Sequence, residues 1–251
     1  VVFLNRYFSI LKKFIDEKIY IKAAELYLIK GYPPYAYNFE HPPLVKYLIG
    51  LALLVVGDDY AWTASFSASL LSLILVYRIV YLLSNSSFVA FIATMLLALD
   101  SVYIDTSSYA MLDMFSLAFF LVAIYIALKH MEGYWKCKFS IKDIIGVSVL
   151  IGLSFASKMQ IFPNVIAFLM SLALPCLILK NMRGLLKIAS ICILSSLIFL
   201  LTFVADIIYG GYGAILEHFV KMYNYMLRQH GFSPIIALNG FLTYTTKVSI
   251  W

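Results

Sequence analysis

Six apolar segments, each long enough to cross a lipid bilayer, restrict what this sequence can fold into. They are residues 62–83, 87–104, 110–128, 143–160, 162–179 and 188–209. A transmembrane helix needs about 20 mostly apolar residues to cover a hydrocarbon core of about 30 Å. Of the 251 residues, 63% are hydrophobic and 13% are charged, whereas a soluble domain has about 25% charged residues. We therefore predict an all-α integral membrane protein with a six-helix transmembrane bundle over residues 62–209.

The stretches outside this bundle predict helices that lie along the membrane. The apolar run 44–56 is too short to span a bilayer and predicts a juxtamembrane or re-entrant helix. Between residues 18 and 30, polar and apolar residues alternate at helical spacing, which predicts an amphipathic helix that ends at Gly31. Residues 1–61 thus form a first loop, and residues 210–251 form a second loop that leads into another apolar segment.

Residues 214–232 predict an interfacial helix within the second loop. Its apolar face contains Phe219, Met222, Tyr223 and Met226, and its polar face contains His218, Lys221 and Arg228. Basic and aromatic side chains at headgroup depth suit the binding of a lipid phosphate. A surface helix on an anionic membrane has the same pattern, so the sequence leaves both interpretations open.

The basic residues are concentrated in two loops between the apolar segments. Residues 129–143 contain four lysines, and residues 180–187 contain two lysines and one arginine. An excess of Lys and Arg marks the cytoplasmic side, so the net charge of +6 indicates membrane topology and not nucleic-acid binding. Residues 1–61 and the chain after residue 209 are then predicted to be extracytoplasmic.

Charged side chains gather toward the predicted extracytoplasmic ends of the helices. They are Asp100, Asp105, Asp113, Lys158 and Asp206, joined by Asp16, Glu17, Glu40 and His41 from the first loop. Because a charge at the bilayer centre costs about 2.5–3.5 kcal/mol, such a group indicates either helix ends in water or a polar cavity that opens outward. For Asp16 and Glu17, capping of a helix N-terminus is the simpler alternative.

The stretch "FEHPPLVKYL" at residues 39–48 interrupts this apolar chain with titratable and rigid residues. Pro42 and Pro43 prevent a helix from running through them, and the apolar helix is expected to begin directly afterwards. We interpret the stretch as a bend at which the first loop returns to the membrane, with Glu40 and His41 on its polar side.

Taken in order, four motifs resemble those of the dolichyl-phosphate-mannose protein mannosyltransferases, members of the GT-C glycosyltransferase superfamily. They are "DE" at residues 16–17, "HPPLVK" at 41–46, "MLD" at 111–113 and "MYNYMLRQH" at 222–230. The resemblance extends over roughly residues 14–230. It implies a multi-spanning bundle whose large first extracytoplasmic loop bears the acidic pair, and it implies that further helices belong at both ends of the chain.

The resemblance also implies roles for particular residues. Asp16 and Glu17 would be catalytic, with Asp16 the better candidate for the base. The implied substrate-binding residues are Glu40, His41, Asp113, Lys158, Arg228 and His230. Of these, Lys158 and Arg228 are the candidates for contact with a lipid phosphate.

The implied reaction is transfer of a sugar, mannose in this family, from a polyprenyl or dolichyl phosphate to a hydroxyl of a protein, lipid or glycan. It would run on the extracytoplasmic side with inversion at the anomeric carbon and a carboxylate base. No Cys/His spacing indicates a zinc site. The resemblance implies no metal and no cofactor apart from the donor itself, and membrane lipids are the other expected partners.

The chain departs from the family pattern at two places. Arginines are common in the family near Thr63 and before the "MLD" motif, where this chain has Ser108 and Tyr109. A catalytically degenerate membrane scaffold is therefore one alternative. A secondary transporter or channel is another, although it would favour charges near the bilayer midplane and repeated halves. A metal-dependent oligosaccharyltransferase would carry a Trp-Trp-Asp signature, which the chain lacks.

Overall fold

A computed structural model of the chain describes Val2, residues 15–129 and residues 139–230, with side chains up to Tyr225. This part is helical and contains no strand. We number its α-helices α1 Ile15–Ala24, α2 Leu44–Val56, α3 Thr63–Ser84, α4 Ser87–Ala98, α5 Ser101–Ser108, α6 Asp113–Lys129, α7 Ile141–Ser157, α8 Phe162–Ile178, α9 Met182–Leu201 and α10 Val204–His230.

The lengths of these helices fit an integral membrane protein. Three helical stretches are long and apolar enough to cross a bilayer, namely Asp58–Ser84, Met159–Ile178 and Met182–Leu201, and α4 with α5 adds a fourth if this bent pair is one span. Helices α6 and α7 have 17 residues each, which gives a rise of about 25 Å, near the lower limit for a span. The all-α membrane class is confirmed, whereas the count of six spans stays a prediction.

The second predicted span, residues 87–104, is not one continuous helix. It is broken between α4 and α5, whose axes differ by 64°. The break has a local cause, because the carboxylate of Asp100 accepts a hydrogen bond of 2.8 Å from the backbone N–H of Tyr103 and so caps a new helix. The short helix α5 therefore turns across the end of the bundle instead of continuing α4.

The last predicted span is shifted along the chain. We expected residues 188–209, but α9 spans Met182–Leu201 and α10 begins at Val204. The Asn181 side chain accepts a hydrogen bond of 3.1 Å from the backbone N–H of Gly184 and caps α9 at its start. Basic residues of the predicted loop therefore lie in the first turns of the helix.

The bundle buries several serines inside its apolar core and exposes many large apolar side chains at its surface. In α3, Ser69 and Ser72 are buried, whereas Leu70, Leu71 and Ile74 are exposed. Between α6 and α7, the Ser116 hydroxyl donates to the Ser154 carbonyl at 3.0 Å, and the Ser154 hydroxyl donates to the Ser116 carbonyl at 2.8 Å. Such reciprocal bonds between buried helices are typical of membrane proteins, in which lipid covers the apolar surface.

Helix α7 lies at the centre of the bundle, packed against α6 on one side and α9 on the other. Gly152 is the point of closest approach to α9. A Cβ atom there would lie 2.6 Å from the Ile198 Cβ and 2.7 Å from the Ser195 carbonyl oxygen. The two helices can pack at this distance because residue 152 has no side chain.

We predict that Gly152→Ala destabilises the fold, whereas Gly146→Ala does not. Alanine at residue 152 would force α7 away from α9, with an expected cost of about 1–3 kcal/mol. Gly146 lies in the same helix, and a Cβ there would meet no atom closer than 3.8 Å, so alanine is expected to be neutral or slightly stabilising. Thermal unfolding of both variants in detergent measures the difference, and equal melting temperatures would contradict this packing.

The first loop folds onto the end of the bundle where α3 begins. Helix α1 continues into one turn of π-helix at Glu25–Ile29, and Gly31 follows with φ +67°, near the predicted end. A short 3-10 turn at Pro34–Ala36 leads to the Pro42–Pro43 bend. Helix α2 then spans Leu44–Val56, the same residues as the predicted short helix.

Tyr20 of α1 and Val45 and Ile49 of α2 form a buried core with Trp62 and Leu112.

Helix α10 covers the predicted interfacial helix but begins ten residues earlier, and it is broken at Gly211. That residue has φ +69° and ψ −169°, a conformation that L side chains rarely adopt. The expected polar face was wrong for His218, which is fully buried, whereas Tyr223 on the expected apolar face is 63% exposed and so accessible to lipid. Residues 231–232 of the predicted helix lie outside the described residues.

Candidate active site

The site centres on an ion pair between two of the predicted residues. The Lys158 ammonium lies 2.6 Å from an Asp113 carboxylate oxygen, and both side chains are partly exposed. Asp113 is the first residue of α6, where a carboxylate is favoured by the helix dipole. Lys158 directly follows α7 in extended backbone, and its N–H donates to the Ser154 carbonyl. Ends of two adjacent helices thus place opposite charges together.

Both residues of this ion pair line a cavity of about 300 Å³, which lies between α5, α6 and the turn after α7. Its polar lining contains Asp100, Tyr103, Thr106, Asp113, Lys158 and Gln160. Its apolar lining contains Leu97, Val102, Met114, Leu117 and Ile161. Lys158 is the one basic residue among the described residues of this lining. A cavity lined by a lysine and by apolar side chains is chemically suited to a phosphate that carries a lipid chain.

Asp113 is held in position by contacts of the segment that precedes it. The backbone N–H of Ala110 donates to a carboxylate oxygen of Glu17 at 3.2 Å, and Glu17 is fully buried. The backbone of Met111 exchanges two hydrogen bonds with the Ser65 hydroxyl, at 2.9 and 3.0 Å. Residues of α1 and α3 therefore anchor the chain immediately before Asp113, and the geometry gives Glu17 a positioning role rather than contact with solvent.

Asp16 precedes Glu17 but, unlike it, is exposed in the first turn of α1. One turn later, Tyr20 points inward toward the site. Burial raises the pKa of the Tyr20 phenol, and the negative charges of Asp16 and Asp113 raise it further. The charges of Asp16 and Asp113 thus both act on Tyr20, and the role of Asp16 as the base stays a prediction.

His41 packs against the same tyrosine. The two rings meet edge to face with centroids 5.8 Å apart. Burial lowers the pKa of His41 to about 3, and the positive charges of Lys46 and Lys158 contribute to the decrease. His41 is therefore neutral at physiological pH and acts here as a packing group, not as a cation.

The pKa of His41 predicts a specific pH dependence of stability. An unfolded histidine takes up a proton below about pH 6.5, whereas the folded state resists protonation until about pH 3. The free energy of unfolding should therefore fall as pH decreases through this range, by up to about 1.4 kcal/mol per pH unit. Thermal unfolding between about pH 7 and pH 4 should show a steeper decrease for the wild type than for His41→Gln. Parallel curves would contradict a buried neutral histidine.

Lys46 organises the backbone around His41. Its side chain is fully buried, and its ammonium donates to the carbonyls of Asn38 and His41, the latter at 2.7 Å. Glu40, in the same bend, accepts a hydrogen bond of 2.8 Å from the Asn38 side chain. The buried Lys46 side chain thus stabilises the predicted bend at residues 39–48 by binding its backbone carbonyls.

Of the predicted site residues, the structure pairs Asp113 with Lys158 and packs His41 on Tyr20, and the charges of Asp16, Asp113 and Glu40 act on that tyrosine. Arg228 and His230 lie in the last turns of α10, and their side chains lie outside the described residues. Thr63 and Ser108, where the family often has arginine nearby, bond to backbone carbonyls of Tyr60 and Ile104.

Two groups were missed by sequence reasoning. Tyr20 follows Asp16 by four residues, so helical spacing was an available signal that both share a face. No sequence pattern indicated that Lys46 binds backbone carbonyls, because the carbonyls of Asn38 and His41 come within its reach only when the bend is folded. Among the described side chains, which are those of residues 15–129 and 139–225, no three of His, Cys, Asp or Glu form a group that could hold a metal.

Comparison with known families decides the class of this protein. The model of the dolichyl-phosphate-mannose-protein mannosyltransferase family matches residues 40–209. The chain belongs to this family. No curated protein and no solved structure matches it. Membership of the mannosyltransferase family places the chain among membrane glycosyltransferases. The matched region contains Glu40, His41, Asp113 and Lys158, whereas Asp16 and Glu17 precede it.

Proposed function

We propose that the protein transfers mannose from dolichyl-phosphate mannose to an acceptor hydroxyl, with inversion at the anomeric carbon. The observation that carries the proposal is the Asp113–Lys158 ion pair at the opening of the cavity between α5 and α6. The mannosyltransferase family match includes both residues.

In the proposed reaction, the acceptor oxygen attacks the anomeric carbon from the face opposite the phosphate. The acceptor proton passes to the Asp16 carboxylate as the new carbon–oxygen bond forms. The bond between the anomeric carbon and the phosphate oxygen breaks, and its electron pair leaves with the dolichyl phosphate. One base is sufficient because phosphate is a good leaving group and needs no protonation, unlike the alcohol released from a glycoside.

Lys158 stabilises the negative charge that grows on the leaving phosphate. An ammonium has three donors, and Asp113 engages one of them, so the remaining donors are available to phosphate oxygens. Asp113 keeps the flexible lysine chain at the cavity. Tyr20 and His41, whose rings pack together, are proposed to contact the sugar.

We place the reaction on the extracytoplasmic side. Phe139 and the first turns of α9 lie at the opposite end of the bundle, where the Lys187 ammonium donates to the Phe139 carbonyl at 2.6 Å. Basic residues concentrate at that end, which favours the cytoplasm for it. Dolichyl phosphate mannose, an acceptor protein and the surrounding lipid are the proposed partners, with no metal and no further cofactor.

A transfer assay tests this proposal. The protein is reconstituted into liposomes with radiolabelled dolichyl-phosphate mannose and a peptide rich in serine and threonine, and dolichyl-phosphate glucose serves as the matched donor. We expect mannose to appear in the peptide and glucose transfer to be much slower. Transfer of glucose at the same rate would overturn the donor assignment, and absence of both products would overturn the proposed activity with this acceptor.

A further inference from the structure

A buried acid–histidine pair lies outside the site described above. Asp206 is in the first turn of α10, and His218 follows the break at Gly211. Both side chains are completely buried, and His218 Nδ1 lies 2.6 Å from Asp206 Oδ2. The Phe203 ring packs edge to face on the imidazole, with centroids 5.0 Å apart. Two titratable groups without access to water need a reason to be there.

The hydrogen bonds of this pair determine how many protons it holds. His218 Nε2 lies 3.1 Å from the carbonyl oxygen of Phe39, which can only accept a hydrogen bond. Nε2 must therefore carry a proton. The Nδ1–Oδ2 contact needs a second proton, which belongs either to the ring or to the carboxyl group. In both arrangements the pair holds one proton more than a carboxylate and a neutral histidine whose ring proton is on Nδ1.

The pair binds the backbone of the bend that carries His41. Besides the Phe39 carbonyl, the backbone N–H of Tyr35 donates to Asp206 Oδ1 at 3.0 Å. On the other side, Lys46 of α2 binds the carbonyls of Asn38 and His41. The segment 35–41 is thus held between α10 and α2 by buried side chains, and it ends at the imidazole that packs on Tyr20.

We propose that Asp206 and His218 form a proton-dependent positioning pair, which holds the segment 35–41 in place and thereby sets His41 against Tyr20. Loss of the shared proton leaves a net negative charge in a buried site. In the tautomer that keeps the bond to Asp206, the Nε2 lone pair then faces the Phe39 carbonyl oxygen, so this contact breaks and the bend loosens. The consequence for catalysis rests on the proposed function; the consequence for the bend does not.

Other titratable groups face the pair from each neighbouring element. Its own helix contributes Lys221, which forms an ion pair with Glu217 and lies 5.8 Å from the ring centroids of Tyr35 and Phe39. The charge of Asp206 acts on residues of the π-helical turn and of α2, namely Tyr27, Lys46 and Tyr47. Lys221 is common to the wild type and to the variants below. Lys46 binds the same bend, and the charge of Asp206 raises the pKa of its ammonium, so loss of that charge in Asp206→Asn favours release of the Lys46 proton and a looser bend in the variant. This effect is opposite in sign to the difference expected from the pair.

Asparagine at residue 206 provides the sharpest test. Its amide oxygen accepts from the Tyr35 N–H, its amide nitrogen donates to His218 Nδ1, and a neutral His218 donates from Nε2 to Phe39. Asp206→Asn therefore retains every contact of the pair without the extra proton. We expect the variant to bind the bend equally well but without dependence on pH.

Hydrogen–deuterium exchange of the peptide that contains residues 35–41 measures this directly, with wild type and Asp206→Asn compared at each pH from about 6 to 10. Both proteins share the intrinsic pH dependence of exchange, which the comparison removes. We expect exchange in the wild type to become faster than in the variant by about tenfold at the alkaline end. Equal rates across the range would overturn the proposal.

If Asp206→Asn does not fold, a second pair of variants, His218→Gln and His218→Asn, tests the same contacts. Glutamine at residue 218 extends its amide to the position of Nε2 and retains a donor for Phe39, whereas asparagine is shorter and retains only the bond to Asp206. We expect faster exchange of the bend in His218→Asn than in His218→Gln at neutral pH. The opposite order, or no difference, would contradict a role for the Phe39 contact.

The transfer assay separates this inference from the proposed function. If the enzyme transfers mannose, the rate for the wild type should fall at alkaline pH more steeply than the rate for Asp206→Asn. If no sugar is transferred by any form, the proposed function fails, and the exchange measurement still decides whether the pair holds the bend. Parallel pH–rate profiles together with equal exchange would overturn the positioning role.

Discussion

Replacing Asp16 by asparagine is expected to lower the rate of mannose transfer by about 10²- to 10⁴-fold, the usual contribution of a general base. Asp16 is exposed in the first turn of α1, so the amide should be accommodated without repacking. The expected cost in stability is at most about 1 kcal/mol, from the lost interaction with the helix dipole. Initial rates at saturating dolichyl-phosphate mannose measure the effect on the chemical step.

Asp58→Asn is the matched control for this prediction. It removes an exposed carboxylate from the 3-10 turn Asp58–Tyr60, which the structure does not connect to the site. We expect this variant to transfer mannose at the wild-type rate. If Asp16→Asn is as active as Asp58→Asn, then Asp16 is not the base, and the proton of the acceptor must pass to another group.

Lys158→Met is expected to lower transfer by about 10²- to 10³-fold, because the ammonium would no longer stabilise the charge on the leaving phosphate. Charge develops on that oxygen mainly in the transition state, so we expect the larger decrease in kcat and a smaller increase in the KM for the donor. The effect on stability should be modest, since the Lys158–Asp113 pair is partly exposed. A steady-state analysis with varied dolichyl-phosphate mannose separates these terms.

Lys142→Met is the control for Lys158, because Lys142 lies exposed at the opposite end of the same helix, α7. It should transfer at the wild-type rate. A double variant, Lys158→Met with Asp113→Asn, tests whether the loss arises from an uncompensated carboxylate. Recovery of activity in the double variant would contradict direct stabilisation of phosphate by Lys158.

The elements that sequence reasoning predicted well are those specified by local residues. Helix α2 begins and ends as expected because Pro42–Pro43 precede it and Gly57, with φ +76°, follows it. The apolar regions are helical because lipid leaves the backbone no other way to satisfy its polar groups. The length of the apolar segments did not predict the break at Asp100 or the start of α9 after Asn181. Each of these boundaries is specified by a single residue that caps the helix after it.

The part of the candidate site that was predicted is likewise the part that local sequence specifies. Asp113 and Lys158 were identified as charges at helix ends, and their pairing follows from the adjacency of α6 and α7. The roles of Asp16 and Glu17 could not be separated from sequence, because adjacent residues on a helix point about 100° apart and only the fold shows which direction is buried. His218 was assigned to a polar face, whereas packing of α10 against the first loop buries it.

The sequence by itself determined that this protein is an all-α membrane protein in a lipid environment, because this depends on the length of its apolar segments. It also determined most of its helical segments, because these depend on caps and prolines within a few residues of each helix end. The tertiary structure alone decided that Glu17 binds the N–H of Ala110 and that His218 binds Asp206 and Phe39. These partners are far apart in the chain, and a buried polar group must find whichever partner the packing of the helices brings within hydrogen-bond distance.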